Sequence, residues 1–198
     1  ILKPREYNLD IIMRFKAAED AGAVAVGIDI DAASFRTMTL KGQAVGPKTI
    51  AELQELKSHL KVPFILKGIM NVQSALAAIE AGADAIVVSN HGGRVMDHMP
   101  GTAEVLPEIA NAVGGRIKVL ADGGIREGID ILKMLALGAD AVMIGRPICI
   151  AAFGAGQEGV SFYLQEKLNE LKKAMILTGC GSIDNIDPSI IFRKKGDR

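Results

Sequence analysis

The chain has 198 residues, 49% of them hydrophobic, enough for one domain with a sizeable core. Its 23 basic and 23 acidic residues cancel, so it carries no electrostatic footprint for nucleic acid or an anionic membrane surface. No apolar run approaches the ~20 residues of a membrane span, and no signal peptide is visible.

In chain order, an amphipathic helix is expected at 9–21 and is followed by the apolar stretch "AGAVAVGIDID" (21–31). A short loop (32–48) leads to a second helix at 49–60 and then to the buried strand "VPFILKG" (62–68). A helix at 72–81 precedes "AGADAIVVSNHGG" (81–93). Another at 103–113 precedes "IKVLADGG" (117–124), and a helix at 128–137 precedes "LGADAVMIGRP" (137–147). The tail from 156 to 192 reads as a further helix with a short closing segment. Gly22, Gly82 and Gly138 stand 60 and 56 residues apart, the interval of two strand–helix units. Five apolar strands alternating with helices imply parallel pairing, buried on both faces.

Polar residues gather where the strands end: Asp29 and Asp31, Lys67, Ser89 to Arg94, Asp122 to Arg126, then Gly145 and Arg146. A doubly wound sheet would place its ligand at one crevice, where strand order reverses. Here every strand delivers something, as in a (β/α)8 barrel, whose eight strands ring a common centre. Five strands are visible, so residues 1–198 read as a single barrel domain, N-terminally incomplete, holding the last five units. The opening at Ile1, without an initiator methionine, fits either processing or a piece of something longer. Such a piece is expected to expose strand edges.

The last two strand ends suggest a ligand. "ADGGIREG" sets two glycines before a helix starting near Gly128, and "IGRP" sets glycine and arginine before Pro147, a residue suited to a first helical turn. Bare amides, a helix N-terminus and a guanidinium together favour phosphate. "SNHGGR" (89–94) places an imidazole and a guanidinium three residues apart on a relaxed backbone. His59 and His98 have no comparable setting. Cys149 and Cys180 lie in different contexts and read as packing residues with reduced thiols, as in a cytoplasmic protein.

"SNHGGR", "LPEI", "ADGGIREGIDILKMLALGADAVMIGRP" and "AMILTGCGSI" resemble the FMN-dependent L-2-hydroxy-acid oxidases and dehydrogenases, the glycolate and lactate oxidase group. The resemblance spans about residues 9–192. The glycine-rich phosphate segments are shared with other barrels, including IMP dehydrogenase and type 2 isopentenyl diphosphate isomerase, whereas "SNHGGR" discriminates. The resemblance implies FMN as cofactor and His91 as the base that takes a proton from the substrate. It implies Arg94 as the fork that grips the carboxylate and Asp31 as the partner of the imidazolium. Lys67 would stand near the flavin N1 and O2, Ser89 would contact the flavin, and Asp122, Gly123, Gly124, Arg126, Gly145 and Arg146 would grip ribityl and phosphate. No metal is implied.

The chain also departs from the family. Asp29 stands where the family has a flavin-contacting threonine, and Lys3 and Arg5 stand near a Tyr-x-Tyr pair, one member of which contacts substrate. Only Arg36 offers a match to a second substrate-gripping arginine. The implied substrate is a small 2-hydroxy acid. The electron acceptor is open, oxygen being one candidate, and a homo-oligomer is expected of the full-length form. The alternatives are another flavin barrel in which His91 is incidental, or an inactive fragment.

Overall fold

Five parallel strands follow one another across a single sheet in chain order, β1 (Val26–Asp29), β2 (Phe64–Ile69), β3 (Ala85–Val88), β4 (Lys118–Ala121) and β5 (Ala141–Val142). They belong to a computed structural model that describes residues 1–34 and 36–192, without the side chains of Arg36 and Thr39. The order never reverses, so the sheet has no switch point of the doubly wound kind. It is the arc expected of consecutive barrel units.

Among the described residues the helical segments that precede, connect and follow the strands are α1 (Asn8–Asp20), α2 (Arg36–Leu40), α3 (Ile50–Ser58), α4 (Val72–Glu80), α5 (Thr102–Val113), α6 (Gly128–Ala136) and α7 (Arg146–Thr178). Local chemistry fixes their ends. Thr49 and Glu52 form a reciprocal capping box before α3, and Asn71 caps α4 by accepting from the Ser74 amide.

The repeated "GAD" has a mechanical meaning. Asp84 accepts from the Phe64 amide at 2.7 Å and from Lys57 Nζ at 2.5 Å, tying the entry of β3 to that of β2. Asp140 does the same one repeat later, accepting from the Val119 amide at 2.8 Å and from Lys118 Nζ at 2.6 Å. Burial pushes both carboxyls up, but the lysines and amides outweigh it and hold each below the ordinary aspartate range.

The core lies between sheet and helices. Phe15 of α1 meets Phe64 of β2 edge to face, with centroids 6.1 Å apart, among Ile28, Leu56, Leu66, Ile86, Leu106 and Ile109. A smaller cluster of Leu132, Leu171 and Ala174 joins α6 to α7.

Three features differ from the sequence expectation. The outer edge of β1 is covered by the opening segment: Leu2 donates to the Gly27 carbonyl at 2.7 Å and accepts from the Asp29 amide at 2.9 Å, forming a parallel bridge with Ile28. The loop 32–48 holds a short helix, α2. α7 is two helices meeting at a kink, where Ala155 and Gly156 (φ 56°) leave the helical conformation, so the tail helix begins near 156 as expected and a further helical stretch from Arg146 precedes it. Pro147 occupies the first turn of that stretch, as read from sequence.

Candidate active site

The strand ends converge on a buried chain of alternating charge. Lys67, at the end of β2, donates to Ser89 Oγ at 2.8 Å and lies 3.2 Å from Asp29 Oδ1 and 3.3 Å from Asp122 Oδ2. Asp29 in turn accepts from Lys3 Nζ at 2.6 Å. Burial pushes the Asp29 carboxyl up, and the two ammonium groups more than reverse this, so it is held below its ordinary range. Asp29, Asp31 and His91 bring ligand atoms within 4.8 Å of one another, with Asp29 paired to Lys3 and Lys67 and Asp31 facing His91.

His91 follows β3 in the left-handed region (φ 57°), a conformation a histidine tolerates at a cost. The Ser89 hydroxyl holds it by accepting from its amide at 3.1 Å. Its Nδ1 faces Asp31 Oδ1 at 3.2 Å and Oδ2 at 3.3 Å, while its Nε2 lies 3.5 Å from Lys3 Nζ. Arg94 Nε donates to the His91 carbonyl at 3.2 Å, which folds the turn back on itself. Asn90 pins the turn from below, bonding the Gly93 amide and the Pro100 carbonyl. One nitrogen of Arg146 reaches the Gly92 carbonyl at 3.4 Å.

A cavity of about 510 Å³ opens over these groups, lined by Lys67, His91, Arg94, Asp122, Arg126 and Arg146. Gly123, Gly124 and Gly145 complete that wall. Positive φ at Gly123 (98°) and Gly124 (75°) makes a bend that side chains rarely adopt. A Cβ at Gly145 would meet nothing within 4 Å. The residue pattern of the FMN-dependent dehydrogenases matches residues 31–193.

The chain belongs to that family. It is 47% identical over 135 residues to a peroxisomal (S)-2-hydroxyacid oxidase of Arabidopsis thaliana, covering 68% of this chain and 37% of the relative. It is 41% identical to an L-lactate oxidase of Lactobacillus jensenii, covering 92% and 44%. The chain thus spans less than half the length of these relatives. A mandelate oxidase variant solved with an FMN adduct superposes with a TM-score of 0.84 at 38% identity, over 92% of this chain and 60% of that one. The arc is therefore part of a (β/α)8 barrel.

The residues fit FMN, the cofactor of this family. Asp122 lines the cavity with Oδ1 buried and without a hydrogen-bond partner among the described residues, an acceptor suited to a ribityl hydroxyl. Two guanidiniums, of Arg126 and Arg146, and a glycine-rich bend line the same cavity, a donor set suited to a phosphate.

The structure brings His91, Arg94, Lys67, Asp122, Gly123, Gly124, Arg126, Gly145 and Arg146 to one wall. Asp31 stands behind His91, and Ser89 lies fully buried beneath, its hydroxyl taken up by Lys67 and the His91 amide. The Arg36 side chain lies outside the described residues. Sequence reasoning noticed Lys3 and Asp29 without giving them partners, and missed Thr102, whose hydroxyl donates to the Asp122 carbonyl at 2.6 Å. Cys149 corrects its reading as a packing residue: it is exposed and lines the cavity, whereas Cys180 does pack, against the Leu132 cluster. His59 and His98 are exposed, as their settings suggest.

Proposed function

We propose that this protein oxidises a small L-2-hydroxy acid of the lactate or glycolate kind to its 2-oxo acid with FMN. The observation that carries the reading is His91, backed at Nδ1 by Asp31 and lining the same cavity as Arg94. A carboxylate on Nδ1 fixes the ring's tautomer and leaves Nε2 as the basic nitrogen. His91 takes the substrate proton there, and Asp31 steadies the imidazolium. The Arg94 fork holds the substrate carboxylate.

FMN supplies the acceptor for the two electrons the acid gives up. Lys67 would face the flavin N1 and O2 when FMN is bound, where its charge would favour the reduced cofactor. Ser89 keeps that ammonium in position and contributes to the flavin's binding surface. Asp122, Gly123, Gly124 and Arg126, with Gly145 and Arg146, would hold ribityl and phosphate.

Oxygen as electron acceptor, a homo-oligomer of the complete protein, and a cytoplasmic location supported by two free thiols belong to the same reading. Among the described residues no helix is long and apolar enough to cross a membrane. The test is an anaerobic titration of the complete FMN-loaded protein with a panel of 2-hydroxy acids. Bleaching of the flavin band by one of them, reversed on admitting air, is the expected result. A flavin that no acid bleaches rules the reading out.

A further inference from the structure

Resting on the reading of Arg126 as a phosphate contact, we propose that Tyr163 and Glu170 are positioning residues for FMN. From the second half of α7 they clamp the backbone that carries Arg126, and so set the preference for FMN over riboflavin.

The segment Arg126–Gly128 joins the glycine bend to α6, and side chains hold it. The first amides of a helix have no partner within it. Here Asp130 Oδ2 accepts from the Arg126 and Glu127 amides at 3.1 Å each, and Glu170 Oε2 accepts from the Gly128 amide at 2.7 Å. The Tyr163 hydroxyl donates to the Arg126 carbonyl at 3.1 Å. Asp130 is local, whereas Tyr163 and Glu170 reach in from 37 and 42 residues further along the chain.

The clamp is set before any ligand arrives. Tyr163, Lys167 and Glu170 follow the i, i+4, i+7 spacing of one helix face. Lys167 Nζ stands 5.3 Å from the centre of the Tyr163 ring and pairs with Glu170 Oε1, which leaves Oε2 to Gly128. α7 also presses on Gly128 itself, where a Cβ would stand 2.2 Å from the Leu171 amide nitrogen. The helix cannot slide along the turn without opening this contact.

The same helix pair meets the cavity twice. Arg146 opens its first half and lines the wall together with Arg126. The two halves touch closely beyond the kink, since a Cβ at Gly159 would stand 2.3 Å from the Ala151 carbonyl oxygen. Arg146 is thus carried by one half, while the other braces the backbone of Arg126. A guanidinium grips phosphate through a planar fork, so its worth depends on where its backbone is anchored. Riboflavin lacks only the phosphate and isolates that contribution.

The experiment strips flavin from the complete protein and titrates it with FMN and with riboflavin, read by flavin fluorescence. Tyr163→Phe and Glu170→Ala should each weaken FMN about threefold to tenfold, the worth of one lost hydrogen bond, with riboflavin affinity unchanged. Glu170→Gln, which keeps an acceptor for the Gly128 amide, should recover most of the Glu170→Ala loss. In an Arg126→Met background Tyr163→Phe should have no further effect, because both changes act on one contact. A helix that served only the fold would lower FMN and riboflavin affinity alike, and that result overturns the proposal. Wild-type FMN affinity in Tyr163→Phe, which loses a single hydroxyl, overturns it too, even where Glu170→Ala does not fold. Failure of the phosphate reading shows separately, as a preference for FMN that survives Arg126→Met.

Discussion

The side chain of Asp31 lies against the backbone of Gly68 so closely that a Cβ there would stand 2.6 Å from both Cβ and Cγ of the aspartate. Gly68 also has φ +102° and marks an irregularity in the pairing of β2 with β3. The same kink follows Lys67 and admits Asp31 toward His91. Gly68→Ala should displace Asp31 and strain the backbone at a cost of about 1–3 kcal/mol. Turnover should fall about tenfold or more, because small displacements of catalytic groups cost that much. Combined with Asp31→Asn the losses should not add, since both act on one contact. Additive losses would detach Gly68 from the role of Asp31.

Lys67 stands between two carboxylates, and its removal exposes their charge to each other. Lys67→Met should lower both the melting temperature and the flavin reduction potential. The first follows because breaking a buried ion pair from one side typically costs about 3–5 kcal/mol. The second follows because Asp29 and Asp122 would then repel an anionic reduced flavin. Dye equilibration reads the potential. A value equal to wild type in a folded, flavin-loaded variant would place Lys67 away from the flavin.

The two "GAD" aspartates give a pH signature of folding. Both are held below the ordinary aspartate value of 3.8 in the folded chain. The folded state therefore binds protons less readily than the unfolded state. Their contribution is full above the unfolded value and drains away as pH falls through the folded one. Both side chains are partly exposed, so screening keeps each contribution small. Denaturant midpoints measured from about pH 5 down to about pH 2 should fall less steeply in Asp84→Asn/Asp140→Asn than in wild type. An identical acid slope would show that neither carboxyl is linked to folding.

Much of this was legible because it is local. "IDID" ends an apolar run at Asp29 and Asp31, and both aspartates lie at that strand end. Apolar runs ending in Lys67, Ser89 and Asp122 named the strand ends that meet. What escaped depends on tertiary placement. A single bridge at Leu2 has no periodicity, so nothing in "ILKPREY" showed that Lys3 would reach Asp29. α2 has only five residues, too few for a helical pattern. Cys149 reads as a packing residue because nothing beside it suggests an activated thiolate, but the first turns of α7 border the cavity instead of the core.

The central claim is that His91, set by Asp31, takes the substrate's proton. It is tested most directly by the rate of anaerobic flavin bleaching in His91→Ala of the complete FMN-loaded protein, mixed with the acid that best reduces wild type. FMN affinity should be unchanged and the reduction rate lower by about 10²–10⁴-fold, the usual contribution of a positioned base. A His91→Ala flavin that bleaches at close to the wild-type rate would contradict that claim.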